Sequence, residues 1–127
     1  SANPLVSLAG LAVLDELENR NLICEAEKKG ELLFKLLNKI KEEFSSRISF
    51  VLGKGLIAAV LFKNPSTGEP DSAFTSKVAE ICMQKGLLVV HTGRESIKLG
   101  PPLTIPREAI VEAMSVFSDA ILEAEKE

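Results

Sequence analysis

The residue best placed by its neighbours to do chemistry is Lys98, in the stretch Ser96–Ile105, Ser-Ile-Lys-Leu-Gly-Pro-Pro-Leu-Thr-Ile. Apolar Ile97 and Leu99 alternate around this one cation, a pattern that reads as a strand. Gly100 frees the backbone, and Pro101-Pro102 cannot donate to a sheet ladder, so the strand must stop there. Leu103-Thr104-Ile105 then leads into a helix opening on Pro106. A strand cation ahead of a rigid elbow is an ammonium held at a fixed place on a sheet, facing something outside the chain. A plainer reading stays open: a solvated lysine on an edge strand that the prolines merely terminate.

Other reactive residue types are scattered. His91 is the single histidine, and no cysteine or carboxylate cluster lies near it in sequence, so it is given no catalytic or metal role. Cys24 and Cys82 fall on predicted helices without metal-ligand spacing. They read as small buried hydrophobes of a reducing compartment, which points to a cytoplasmic home. Gly53-Lys54-Gly55 is not a phosphate loop, because that needs a longer glycine-rich turn ending in Lys-Ser/Thr and entering a helix. Here a strand follows, so a hairpin or bulge is expected.

The elements that must position Lys98 can be read from periodicity. A chain of 127 residues is expected to be one domain with a single core. A net charge of −3 gives no reason to expect nucleic acid, and no apolar run is long enough to cross a bilayer. Asn3-Pro4 starts a helix, with Asn as N-cap and Pro at the first position. Leu5 to Leu14 is apolar or small almost all round, so the helix should be covered on every side, and a domain this small covers only one stripe. Together with a first residue that is Ser rather than Met, this leads us to expect a piece of a larger, oligomeric protein. Asp15 to Asn21 reads as a polar exit and turn.

Leu22–Phe44 is an amphipathic helix with Leu22, Ala26, Leu33, Leu37, Ile40 and Phe44 inward and its Glu and Lys residues outward. Gly30 costs it roughly 1 kcal/mol against Ala, which suggests a close approach by another element. Strands are expected over Ile48–Leu52, Leu56–Phe62, Leu87–Val90 and Ile97–Leu99. A helix should run from Asp71 or Ser72 to Lys85 with Gly86 as its stop, and a last helix from about Pro106 to Glu125. His91–Glu95 reads as a turn. The fold class is α+β: a small, mainly antiparallel sheet with helices packed on one face. Composition and periodicity reveal no activity.

Three stretches in order say more. Asn3-Pro4-Leu5 with its Ala- and Leu-rich helix resembles the Gly-Asn-Pro-Leu stretch of the class III aminotransferases, pyridoxal-phosphate enzymes of fold type I. Gly53-Lys54-Gly55-Leu56-Ile57-Ala58 resembles that family's Gly-x-Gly-Leu hairpin. Lys85-Gly86-Leu87-Leu88-Val89 and Ile97–Ile105 resemble its closing strand, Arg, Pro-Pro-Leu and terminal helix. The resemblance implies the C-terminal small domain of such an enzyme, which shapes the substrate pocket beside its own large cofactor-binding domain in a homodimer. In the family the Schiff-base lysine and a phosphate-contacting Thr lie upstream of the Asn-Pro stretch. No catalytic, cofactor-binding or metal residue is therefore assigned to this chain, which should be inactive alone.

Where the family carries an Arg that grips a substrate carboxylate, this sequence has Lys98, the one substrate-binding residue assigned here. Leu52 stands where the family's hairpin commonly has Arg. The parent reaction implied is amino-group transfer from an amine or ω-amino acid to a 2-oxo acid with pyridoxal phosphate as cofactor. An aminomutase, racemase or decarboxylase of the same fold, or a stand-alone α+β ligand-binding or association module, are the alternatives.

Overall fold

The computed structural model describes residues 2–127. Asn3 caps the first helix, its side chain accepting from the N–H of Leu5 at 3.0 Å, with Pro4 as the first helical residue. This helix, α1, runs Pro4–Asn19, five residues beyond the expected polar exit at Leu14. Asp15-Glu16-Leu17-Glu18 are polar but include good helix formers, and an Arg20–Glu16 pair at 3.3 Å spans the last turn. The helix ends only where Asn21 takes the left-handed conformation (φ 50°), one of the few roles Asn fills more easily than other side chains.

Helix α2 (Leu22–Glu43) follows directly. It leans on a hairpin of β1 (Ile48–Lys54) and β2 (Ile57–Phe62), and the buried Phe44 sits at its C-cap. Pairing continues through Gly53↔Ala58 and Lys54↔Ile57, so the loop is only Gly55-Leu56: β1 runs on past its expected end at Leu52, and β2 begins at Ile57 rather than Leu56. Gly53 sits at φ 136° against the Ile57 carbonyl, which leaves no room for a Cβ. The bulge lies elsewhere, at Ser49, between the pairs Ile48↔Phe62 and Phe50↔Leu61.

Helix α3 (Ser72–Gln84) is capped by Asp71, which accepts from Phe74 N–H at 3.0 Å. A short β3 (Val90–His91) and β4 (Ser96–Leu99) follow, then α4 (Arg107–Lys126), with Pro106 as its N-cap rather than its first residue. The expected strand over Leu87–Val90 is therefore shorter, and His91 belongs to it rather than to the turn. The register explains why. With Val90 opposite Lys98, Leu88 and Leu87 would face Gly100 and Pro101, where the chain turns away and the proline has no N–H to give.

The sheet order is β1-β2-β4-β3, with every pairing antiparallel. β4 is thus an interior strand, not the edge strand of the plainer reading. One face carries Ile48, Ala58, Val60, Phe62, Ile97 and Leu99, all buried beneath α2, α3 and α4. Phe62 is the hub, with ring centroids 5.6 Å from Phe74 and 6.5 Å from Phe117. At the rim of the core, Arg47 stacks 4.0 Å from the Phe74 ring centroid and reaches Asp71 at 3.4 Å and Glu125 at 3.6 Å, joining β1 to α3 and α4.

Helix α1 packs chiefly on α2, and among the described residues none of its side chains is buried. Leu5, Val6, Leu8, Leu11, Val13 and Leu14 all lie exposed, in line with an apolar helix that this chain cannot cover. The second face of the sheet is also uncovered: Phe50, Leu52, Ile57 and Val90 stand exposed on it.

Cys82 is fully buried, and desolvation pushes its thiol from the usual 9.0 up to about 11. The unfolded chain releases this proton near pH 9, and the folded chain only near 11. The contribution is whole below pH 9 and is lost as pH rises through 11. Urea midpoints of wild type and Cys82→Ala should therefore converge over that interval, and parallel curves would show the thiol to be uncoupled from folding.

Candidate functional site

Lys98 occupies the middle of β4, between buried Ile97 and Leu99, and alternation sends its side chain to the uncovered face. Its cross-strand neighbours are Ala59 on β2 and Val90 on β3, and Ala59 in turn faces Leu52 on β1. One row across the sheet thus reads Leu52–Ala59–Lys98–Val90. Lys54, paired with Ile57, adds a second cation at the hairpin rim of the same face. Lys98 joins no ion pair or side-chain hydrogen bond among the described residues.

At the end of this row the sheet opens onto a cavity of about 460 Å³, with Lys98 at its wall. The Gly100-Pro101-Pro102 elbow and the extended Leu87–Val90 segment form its sides, and Leu33 and Met114 lie among the apolar side chains that line it. Leu33, Leu99, Ile110 and Met114 line it from the core side, opposite the face to which alternation sends the Lys98 ammonium, so Lys98 stands at its edge rather than inside it.

The structure brings no second reactive group to Lys98. His91 pairs with Ile97 and so points to the opposite side of the sheet from Lys98, where Nε2 lies 2.9 Å from the Arg94 carbonyl. Cys24 lies on α2 and Cys82 is buried in α3. Among the described residues no three His, Cys, Asp or Glu side chains gather to hold a metal, and no helix is long and apolar enough to cross a membrane.

One residue that sequence reading placed outward is buried. Lys29 is 9% exposed, and its ammonium donates to the Leu103 carbonyl at 3.0 Å, tying α2 to the elbow. The signal was in the spacing: 22, 26, 29, 33, 37, 40 and 44 advance by three or four, so position 29 completes the apolar stripe. Gly30, beside it, does meet the expected close approach. A Cβ there would lie 2.5 Å from the carbonyl oxygen of Gly55.

The Asn-Pro helix start, the glycine hairpin and the strand with its Pro-Pro elbow therefore occupy the places the motifs implied. Residues 1–121 match the sequence model of the class III aminotransferases. The chain belongs to the class III aminotransferase family. Among class III relatives, leucine/methionine racemase of Thermococcus litoralis is 37% identical over 125 residues, 98% of this chain and 28% of the racemase. The mitochondrial acetylornithine aminotransferase of Candida glabrata is 37% identical over 119 residues, 94% of this chain and 26% of that enzyme. The crystal structure of acetylornithine aminotransferase from Elizabethkingia anophelis superposes with a TM-score of 0.85 at 32% identity, covering 95% of this chain and 29% of that one. The chain spans about a quarter of the length of the curated class III relatives it matches.

Proposed function

We propose that residues 1–127 are the C-terminal small domain of a pyridoxal-phosphate-dependent transaminase, which moves an amino group from an amine or ω-amino acid to a 2-oxo acid. The observation that carries this reading is Lys98, unpaired among the described residues and standing on a sheet face that the chain leaves open. Within it, Lys98 binds a carboxylate of the amine substrate or of the oxo acid. In open water such a pair is worth little. Once the face is covered and water excluded, the same charges attract far more strongly. Leu52, Ala59 and Val90 keep the surroundings apolar. A lysine is a single point charge where arginine offers a planar fork, so Lys98 fixes the carboxylate's position more firmly than its orientation.

Pyridoxal phosphate, when bound, supplies the electron sink for this chemistry. The face around Lys98 offers it no phosphate seat, because β4 is paired on both sides and the row beside Lys98 is apolar. The chain's own part is thus to bind and orient substrate and to exclude water. The bare apolar surface of α1 supports burial against the large domain and a second subunit, giving a homodimer. Two unpaired cysteines support a reducing location, the cytoplasm.

The test uses the full-length gene product supplied with pyridoxal phosphate. An amine or ω-amino acid should bleach the cofactor's visible absorbance, and 2-oxoglutarate should restore it. Absence of any oxo-acid response overturns the transaminase reading. The likeness to the Thermococcus litoralis racemase favours a second reading, in which an apolar amino acid is inverted without net amino transfer. Chiral chromatography in the absence of any oxo acid separates the two.

A further inference from the structure

Beyond the strand ladder, two hydrogen bonds hold residues 100–105 among the described residues. Ile105 N–H donates to the Pro102 carbonyl within the elbow at 2.9 Å, and Lys29 Nζ donates to the Leu103 carbonyl from α2 at 3.0 Å. Two successive prolines contribute no N–H, so the elbow's own backbone supplies only the Ile105 bond. Only the lysine bond reaches outside it, bridging residues 74 apart in sequence. This is an unusual use of an ammonium. Lys29 and Thr75 are the buried polar side chains of the described residues, and Lys29 meets a neutral carbonyl rather than a carboxylate. An apolar side chain at this place in the stripe would fold at least as well, because the Lys29 stem lies in the core while its ammonium gains only one neutral partner. The neighbouring Gly30 packs against Gly55, in the β1–β2 turn, which the register places beside the elbow at the same end of the sheet. One turn of α2 therefore meets both the hairpin turn and the elbow at the end of the sheet that follows Lys98.

We infer that Lys29 is a positioning residue: through the Leu103 carbonyl it sets the Pro101–Ile105 elbow, and with it the place of the Lys98 ammonium on β4. The inference rests on the proposed carboxylate role of Lys98. Small displacements of a binding group are expensive in affinity, so a slack elbow loosens the grip on a carboxylate while leaving uncharged contacts alone.

The experiment compares wild type, Lys29→Met, Lys29→Arg and Lys98→Ala in the full-length holoenzyme. Its readout is competitive inhibition by valerate and by its uncharged amide, valeramide. Met matches lysine in length and suits an apolar stripe, so folding is retained and is checked by the thermal midpoint. The expected result is a rise of roughly tenfold in the valerate inhibition constant for Lys29→Met, with valeramide unchanged. Arg at this position can still donate to the Leu103 carbonyl and should restore most of the difference. If Lys98→Ala abolishes the preference for valerate but Lys29→Met leaves it intact, the inference is overturned and the carboxylate reading stands. Equal weakening of both inhibitors in Lys29→Met also overturns it, in favour of a structural role. If wild type shows no preference, or Lys98→Ala keeps it, the carboxylate reading fails and the inference falls with it.

Discussion

In the full-length enzyme, Lys98→Ala lowers kcat/KM for a carboxylate-bearing substrate by about 100-fold, chiefly through KM. The magnitude follows from where the side chain stands. Truncating one partner of a desolvated charge pair costs about 2–5 kcal/mol, and 100-fold is about 2.7 kcal/mol, near the lower end. Lys98 lies in an interior strand whose backbone is paired on both sides, so the substitution removes the ammonium without unmaking the sheet. Ile97 and Leu99, which hold the strand to the core, are untouched. Lys98→Arg should bind the same carboxylate at least as well, since the fork adds a second hydrogen bond, and should discriminate more sharply between substrates. Steady-state kinetics with an amino acid and with the corresponding amine lacking a carboxylate decide the matter. Equal losses for both would mean that Lys98 acts on the sheet and not on the acid group.

The second large effect is on stability, and its sign runs against the usual rule. Gly→Ala inside a helix normally gains about 1 kcal/mol. At Gly30 we expect a net loss of about 2 kcal/mol, because the added methyl would lie 2.5 Å from the Gly55 carbonyl oxygen and 2.7 Å from its carbonyl carbon. These are backbone atoms of a tight two-residue turn, beside Gly53 at φ 136°, so the neighbour has little freedom to yield. Overpacking of this kind costs up to about 3 kcal/mol, which outweighs the gain in propensity. Gly10 is the internal control. It also lies mid-helix, but a Cβ there meets nothing within 4 Å, so in the chain as described Gly10→Ala should be neutral to stabilising. Opposite shifts in the urea midpoint are the expected outcome. Stabilisation at Gly30 would show that the hairpin relaxes away from α2.

The helices, the sheet class and the place of Lys98 on a strand were legible in the sequence because each rests on a local pattern. Asn3-Pro4 and Asp71 are capping chemistry, and Ile97-Lys98-Leu99 is simple alternation. The errors fall where a distant partner decides. β3 is cut short by prolines eleven residues further on, which only the register reveals. α1 overruns its polar residues because the stop lies in the backbone of Asn21 rather than in the loss of apolar side chains. Lys29 was assigned outward on the strength of its charge, although its position in the three-four spacing placed it inward. Spacing outranked residue type there, since a long lysine can lay its stem in the core and deliver its ammonium to a carbonyl. The likeness to a family added what no pattern within the chain contains: the grounds for proposing a use for the open face.

The exposure of α1 ties the durability of this polypeptide to its company. Six large exposed apolar side chains on a helix packed chiefly on its neighbour contribute little to the chain by itself, and about 25 cal/mol for each Å² once covered. Anything that binds the folded form alone stabilises it by mass action, so if the proposed second subunit covers α1, the melting temperature should climb with protein concentration. If the proposed large domain and second subunit cover α1, a copy left without them would present the same apolar helix to chaperones and proteases.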